Sequence, residues 1–158
     1  MNSLHQGFQQ TGQPNDSEAV FRWLDRMDGN PLIQQVKLQM LDVCPVGDGD
    51  QILDVGCGLG HEARRLAERV GPHGRVVGID ANTVMIAEAR QRVAGPTLPV
   101  AFEVGDAQQM DFPDNTFDLC SSGCSSGPVC VTCEWFLMPF ACPARPGLPS
   151  TSNSTRAR

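Results

Sequence analysis

The residues that point most clearly to a binding site are three closely spaced glycines that follow a short apolar run. The segment reads Gln51-Ile-Leu-Asp-Val-Gly-Cys-Gly-Leu-Gly60. Such an apolar run suits a parallel strand that is covered on both faces, and the glycines let backbone approach a ligand where a Cβ would collide. A turn of this kind is typical of sites that bind a nucleotide-like cofactor, but a glycine-rich loop alone is a weak signal.

Two carboxylates follow the next two predicted strands. Asp80 lies about 20 residues past the glycines, the spacing of an acid that accepts hydrogen bonds from ribose hydroxyls. Asp106 follows the third strand, in Gly105-Asp106-Ala107. Because the carboxyl ends of parallel strands share one edge of the sheet, we expect both acids to lie near the glycine loop.

A third acid, Asp54, comes just before the first glycine. Dinucleotide loops usually read G-x-G-x-x-G and place a helix amino terminus against a pyrophosphate. A carboxylate at Asp54 would repel a pyrophosphate but suits a cofactor that carries a sulfonium and an amino group. The charge therefore favours S-adenosylmethionine, and an NAD-dependent oxidoreductase is the less favoured alternative.

The elements that must position these acids alternate along the chain. Four strands are predicted at 52–55, 75–79, 99–104 and 116 to about 120. Four helices are predicted: one that Ser17 caps, one from Pro31 with an apolar stripe from Leu32 to Cys44, one at 61–70, and one that Asn82 or Thr83 caps and that runs to about Val93. Strands alternating with helices of this length indicate βαβ units, so the fold class is α/β with a parallel sheet.

Composition narrows the class of partner. The 158 residues, 41% of them apolar, suffice for one domain. The net charge of −6 argues against a nucleic-acid or anionic-membrane surface and favours a small-molecule partner. No secretory signal and no apolar stretch of about 18 residues is present, so we expect no membrane span and a cytoplasmic protein.

The motifs together resemble the class I S-adenosylmethionine-dependent methyltransferases, in particular small-molecule enzymes of the ubiquinone/menaquinone-biosynthesis type. The resemblance covers about residues 30–119. It is carried by Ile52-Leu-Asp-Val-Gly-Cys-Gly-Leu-Gly60, Val77-Gly-Ile-Asp80, Val104-Gly-Asp-Ala107 and Phe112-Pro-Asp-Asn-Thr-Phe-Asp-Leu119. It implies a Rossmann-like sheet and methyl transfer from S-adenosylmethionine to a small organic acceptor.

The resemblance also implies roles for single residues in binding this cofactor. Asp54 and the backbone of Gly56, Cys57 and Gly58 would hold the methionine portion. Asp80 would take the ribose hydroxyls, Ala81 would border the adenine, and Asp106 with the Ala107 backbone would address the adenine amino edge. No residue is assigned a catalytic role.

Simpler interpretations exist for several of these residues. The glycines suit a tight turn, Asp80 a helix start and Asp106 a turn. The Cys57 side chain is expected to fill buried space rather than act as a nucleophile. The three histidines show no metal-ligand spacing and are expected to be solvated surface residues.

The chain changes character after Leu119. Residues 1–119 hold 17 acids and 9 bases, whereas residues 120–158 hold one acid, three arginines and five of the seven cysteines. We therefore predict a disordered arm at 1–16, a partial methyltransferase domain at 17–120 and an unstructured tail at 121–158. The family sheet has seven strands, and only four are predicted here.

The tail permits two interpretations. Its composition favours a frameshifted or intron-derived ending, in which case the chain could be a cofactor-binding remnant without turnover, because the acceptor half of the family fold is missing. The alternative is a zinc site, with thiolates from Cys120, Cys124, Cys130 and Cys133. The sequence favours no bound metal over this alternative.

Overall fold

The computed structural model describes residues 14–43, 46–93, 98–113, 115–124 and 127–131. The helices are α1 (Pro14–Asp28), α2 (Pro31–Val43), α3 (His61–Val70) and α4 (Thr83–Arg92). The strands are β1 (Gln51–Val55), β2 (Arg75–Asp80), β3 (Val100–Val104), β4 (Leu119–Cys124) and β5 (Gly127–Val131). None of the described helices is both long and apolar enough to cross a membrane.

The strands form one sheet in the order β3-β2-β1-β4-β5. Strands β1 to β4 are parallel, so the predicted four-stranded parallel sheet is confirmed. Strand β1 pairs with β2 on one side and β4 on the other, which places it where the strand order reverses. Ligands bind at this position in open α/β sheets.

The sheet continues further along the chain than the sequence predicted. Strand β4 extends to Cys124, and β5 pairs with it in antiparallel fashion, with Ser121 opposite Cys130. These residues were expected in an unstructured tail. Strand pairing depends on backbone N–H and C=O groups, so a serine-rich segment without an apolar pattern can still add to a sheet. Residues 132–158 lie outside the described part of the chain, and the tail beyond β5 stays a prediction.

The first two helices also differ from the prediction. Helix α1 begins at Pro14, a residue suited to a first helical turn, and Ser17 is buried within the helix instead of capping it. Residues 1–13 of the predicted arm lie outside the described residues. In α2, Leu41 is buried, but Leu32 is 69% exposed and Val36 is 44% exposed. The predicted apolar stripe is therefore only partly buried, because α2 lies beside β5 and is not enclosed between layers.

Apolar side chains cover both faces of the sheet. One face is packed by α3 and α4, and its buried side chains include Ile52, Leu66, Val76, Ile86 and Phe102. On the opposite face, Leu53, Val77, Ile79 and Phe117 form a second cluster. Since side chains alternate along a strand, Asp54 lies on the same face as Ile52, toward α3.

Candidate functional site

The glycine loop is tied to the end of the neighbouring strand β2. The N–H groups of Gly56 and Cys57 both donate to the carbonyl oxygen of Ile79, at 2.8 and 3.0 Å. The N–H of Gly58 donates to Asp80 Oδ2 at 2.9 Å. These three N–H groups are engaged within the protein, and the carbonyl oxygen of Cys57 accepts the N–H of Gly60 at 2.8 Å, so internal hydrogen bonds hold the loop in its conformation.

Glycine is required at different positions of this loop for different structural reasons. Gly56, Gly58 and Gly60 all have positive φ, at 73°, 52° and 74°. A Cβ at Gly58 would meet no atom within 4 Å, so this position faces open space. A Cβ at Gly60 would lie 2.6 Å from Cε1 of Phe102, so Gly60 is needed for core packing. The sequence attributed ligand approach to all three glycines, and the structure supports open space at Gly58 but not at Gly60.

Asp80 lies at the carboxyl end of β2 and organises the backbone around it. Besides the bond from Gly58, its Oδ1 accepts the N–H of Asn82 at 2.8 Å. Asn82 in turn caps α4, as predicted, by accepting from Val84 and Met85. Each carboxylate oxygen can accept more than one hydrogen bond, so Asp80 keeps acceptor capacity for a ligand. Ala81, next to it, is exposed.

The third predicted contact region follows β3. The N–H of Gly105 donates to the carbonyl oxygen of Asp80 at 3.1 Å, which joins the ends of β2 and β3. Asp106 is exposed, and its Oδ1 accepts the N–H of Gln108 at 2.8 Å, the turn role that its residue type favours. Ala107 is half-buried beside it. The structure thus brings Asp106 and Ala107 to the same sheet edge as Asp80.

Asp54 is the least expected group in the site, because it is fully buried and charged residues rarely are. Neither of its carboxylate oxygens has a hydrogen-bond partner of ordinary geometry among the described residues. Burial above all, and then the nearby charge of Glu62, raise the pKa of Asp54 to about 7, although Ser121 and Lys37 oppose this shift. A buried carboxylate without a partner suits a positively charged ligand.

Glu62 and Lys37 belong to the same buried polar region, and the sequence analysis missed both. Glu62 is buried in the first turn of α3, and its Oε1 has no partner among the described residues. Its Oε2 lies 3.4 Å from Nη1 of Arg65 and 3.6 Å from Nζ of Lys37. Glu62 precedes buried Leu66 by four residues, so helical periodicity could have predicted that Glu62 lies on the buried face of α3. No comparable sequence pattern predicted the position of Lys37 on α2.

Ion pairs attach α1 and α2 to α3 and α4. Asp28 accepts from both Nη atoms of Arg65, at 2.9 and 2.8 Å, and lies 3.0 Å from Nζ of Lys37. Although burial opposes it, hydrogen bonds from Arg65 and Lys37 lower the pKa of Asp28 to about 2. Asp25 accepts from Nη2 of Arg92 at 3.0 Å, and this pairing lowers the pKa of Asp25.

His61 belongs to this contact, which corrects the prediction of a solvated surface residue. Its Nε2 lies 2.9 Å from Asp25 Oδ1, and its side chain is 16% exposed. Burial lowers the pKa of His61, although Asp28 and Asp25 oppose that shift. The prediction failed because α1 covers α3 at this point. His73 is exposed, and its Nδ1 lies 3.2 Å from Asp48.

The cysteines show no arrangement for catalysis among the described residues. The Cys57 side chain packs in the core, and burial raises the pKa of its thiol. It therefore fills buried space, as expected, and any ligand contact falls to its backbone. Within the described ranges, no group of three or more His, Cys, Asp or Glu side chains could hold a metal ion. Cys133 lies outside them, so the zinc hypothesis stays a prediction.

Comparison with known proteins identifies the same family as the motifs do. Residues 52–129 match the family model described as a methyltransferase domain. The match continues past Leu119, where the sequence resemblance was expected to end, and covers β4 and part of β5.

Curated relatives match about half of the chain. The chain is 40% identical over 77 residues to demethylmenaquinone methyltransferase of Symbiobacterium thermophilum, which is 48% of this chain and 31% of that protein. It is 44% identical over 71 residues to phosphoethanolamine N-methyltransferase 1 of Arabidopsis thaliana, or 45% of this chain and 14% of that one. The chain thus spans less than a third of the length of these relatives.

A solved structure supports the assignment. A SAM-dependent methyltransferase from Aquifex aeolicus superposes with a TM-score of 0.55 at 25% identity, covering 64% of this chain and 55% of that one. The glycine loop with its three acids, the parallel sheet and these matches agree. This part of the chain belongs to the class I S-adenosylmethionine-dependent methyltransferases.

Proposed function

We propose that the carboxyl edge of β1, β2 and β3 binds S-adenosylmethionine. The observation that carries this proposal is the buried carboxylate of Asp54, which has no hydrogen-bond partner of ordinary geometry among the described residues and lies near a loop that is open at Gly58. A group with positive charge would compensate Asp54, whereas a pyrophosphate would be repelled. The donor set therefore fits a cofactor with an ammonium and a sulfonium.

The other site residues supply the remaining contacts in this proposal. Asp54 and the backbone of Gly56, Cys57 and Gly58 hold the methionine portion. The free acceptor capacity of Asp80 takes the ribose hydroxyls. The adenine contacts fall to Ala81, Asp106 and Ala107, which share this edge of the sheet.

The proposed reaction is methyl transfer to a small organic acceptor. When bound, the cofactor supplies an electrophilic methyl group on a sulfonium. The contribution of the protein is to hold donor and acceptor in line and to exclude water, which accounts for a large part of the acceleration in reactions of this type. The relatives are named for methyl transfer to demethylmenaquinone and phosphoethanolamine, which makes a small-molecule acceptor the first class to test.

Binding and turnover need separate experiments. Isothermal titration of the purified chain with S-adenosylmethionine, S-adenosylhomocysteine and NAD tests the cofactor. We expect both adenosyl compounds to bind and NAD not to bind, and binding of NAD alone would contradict the proposal. A radiolabelled-methyl assay with a panel of small acceptors tests turnover. Cofactor binding without transfer would favour the alternative of a cofactor-binding chain without turnover.

A further inference from the structure

We infer that Asp54 and Glu62 form a two-carboxylate cation site in which Glu62 is the ion-paired acid and Asp54 carries an exchangeable proton, so that binding of the cationic cofactor expels one proton. This inference rests on the proposed cofactor. It assigns the two acids a role in proton release, in addition to their contact with the cofactor.

The geometry gives the two acids different roles. Of their four carboxylate oxygens, three are buried and have no hydrogen-bond partner of ordinary geometry among the described residues: both of Asp54 and Oε1 of Glu62. Glu62 has two cations close to its other oxygen, Arg65 at 3.4 Å and Lys37 at 3.6 Å. Asp54 forms no ion pair among the described residues. Two buried carboxylates at one site cannot both ionise freely, so the proton that they hold belongs on Asp54.

Groups from every element around Asp54 bear on this proton. Glu62 of α3 and Asp80 of β2 add negative charge and favour the protonated form, while Lys37 of α2 and the Ser121 hydroxyl of β4 favour the carboxylate. Cys57, in the loop, is buried and its thiol stays protonated, because burial raises its pKa. The balance leaves the pKa of Asp54 at about 7, so the proton is present at mildly acidic pH.

A cation bound beside Asp54 reverses this balance. Opposite charge at short distance favours the ionised carboxylate, so the O–H bond of Asp54 breaks and the proton passes to the solvent buffer. Linkage then requires affinity to rise with pH below the pKa of the free protein. The dissociation constant should fall about tenfold per pH unit between about pH 5.5 and 6.5, where the α-amino group of the ligand stays protonated.

The test measures the heat of S-adenosylmethionine binding in buffers of different ionisation enthalpy. We expect release of about 0.9 proton at pH 6 and about half a proton at pH 7. Two variants should move the midpoint of this release in opposite directions. Glu62→Gln removes the like charge and should shift it to lower pH, and Lys37→Met removes the compensating cation and should shift it to higher pH. A purely structural role for these residues would change affinity and leave the midpoint in place.

The outcomes separate this inference from the cofactor proposal. Binding with no buffer dependence and a pH-independent dissociation constant would overturn the inference and leave the proposed cofactor standing. Failure of S-adenosylmethionine to bind at any pH would contradict the proposed function. The free protein provides an independent check, by ¹³C NMR titration of the Asp54 carboxyl group. A midpoint near neutrality supports the inference, and an Asp54 that is already ionised at pH 6 overturns it even without a ligand.

Discussion

The N–H of Gly58 donates to Oδ2 of Asp80 at 2.9 Å, which fixes the open glycine of the loop to the acid at the end of β2. The two residues lie on adjacent parallel strands or just beyond them, and each belongs to a different half of the proposed cofactor site. Asp80 therefore positions the loop, in addition to its proposed contact with the ribose. Its substitution should disturb both halves of the site.

Asp80→Ala should weaken S-adenosylmethionine binding about 10- to 100-fold. It removes the acceptor of two backbone N–H groups and of the proposed ribose bonds, and hydrogen bonds to charged groups contribute about 1.5–3 kcal/mol. Asp80→Asn keeps one oxygen acceptor and should lose less. Titration calorimetry measures both. Glu18→Gln is the matched control, since this acid is 74% exposed on α1 and should leave affinity unchanged.

Gly58→Ala and Gly60→Ala should separate ligand access from packing. Both sites have positive φ, which costs an alanine about 1–2 kcal/mol. Gly60→Ala also strikes the Phe102 ring, and overpacking adds about 1–3 kcal/mol. Urea unfolding should show the larger loss for Gly60→Ala, and calorimetry should show weaker cofactor binding for Gly58→Ala in protein that remains folded.

The double variant Gly60→Ala/Phe102→Leu checks the cause of that loss. If the ring clash is responsible, the double variant should be more stable than the two single losses predict when added. Additive losses would show that backbone strain alone explains the effect at Gly60.

Asp54→Asn should stabilise the cofactor-free protein above neutral pH while it weakens cofactor binding. The pKa of Asp54 is about 7 in the folded protein and lies above its unfolded value. The unfolded chain therefore binds fewer protons between about pH 4 and 7, and the free energy of unfolding falls as pH rises through this range. Above pH 7 the buried carboxylate is ionised and its full desolvation penalty applies. The free energy of unfolding of the variant should there be about 2 kcal/mol higher than that of the wild type, because a buried amide costs less than a buried charge.

Urea unfolding at several pH values measures this difference. The gain should shrink as the pH falls toward about 4, where Asp54 is protonated in the folded and the unfolded states alike. A gain that is the same at pH 5 and pH 8 would contradict the role of ionisation.

Local sequence signals predicted the sheet edge where we propose that the cofactor binds, but not the buried charges near it. Strand β1 and its glycine turn were predictable, because an apolar run followed by glycines marks a strand end. Asp80 and Asp106 were predictable from their positions after the next strands. Lys37 was not, because its role depends on how α2 packs against α3, a contact between distant parts of the chain.

The part of the sheet after Leu119 was also not predictable from local sequence patterns. Ser121 lies opposite Asp54 through the backbone pairing of β4 with β1. Its segment, Leu119-Cys-Ser-Ser-Gly-Cys124, has no alternating apolar pattern, so period-based prediction ended the sheet too early. A free strand edge can pair with any segment that presents its backbone N–H and C=O groups, and such pairing depends little on side-chain type.

Asp28→Asn should destabilise the attachment of α1 and α2 in a pH-dependent way. Hydrogen bonds from Arg65 and Lys37 lower the pKa of Asp28 to about 2 in the folded protein, against an ordinary value of 3.8. For an acid with a lowered pKa, the stabilisation is present above the unfolded value and is lost as the pH falls through the folded one. At pH 7 the variant should therefore lose about 2 kcal/mol of unfolding free energy.

This loss should narrow as the pH falls from about 4 to about 2, because the unfolded chain takes up a proton at Asp28 in this range before the folded protein does. Combining Asp28→Asn with Arg65→Met tests the pairing itself, since partners in one ion pair should give losses that are smaller together than their sum. The exposed pair of Glu18 and Arg22 serves as the contrast and should contribute less than about 0.5 kcal/mol. Equal losses at the buried and the exposed pair would show that burial of Asp28 adds nothing to the attachment of these helices.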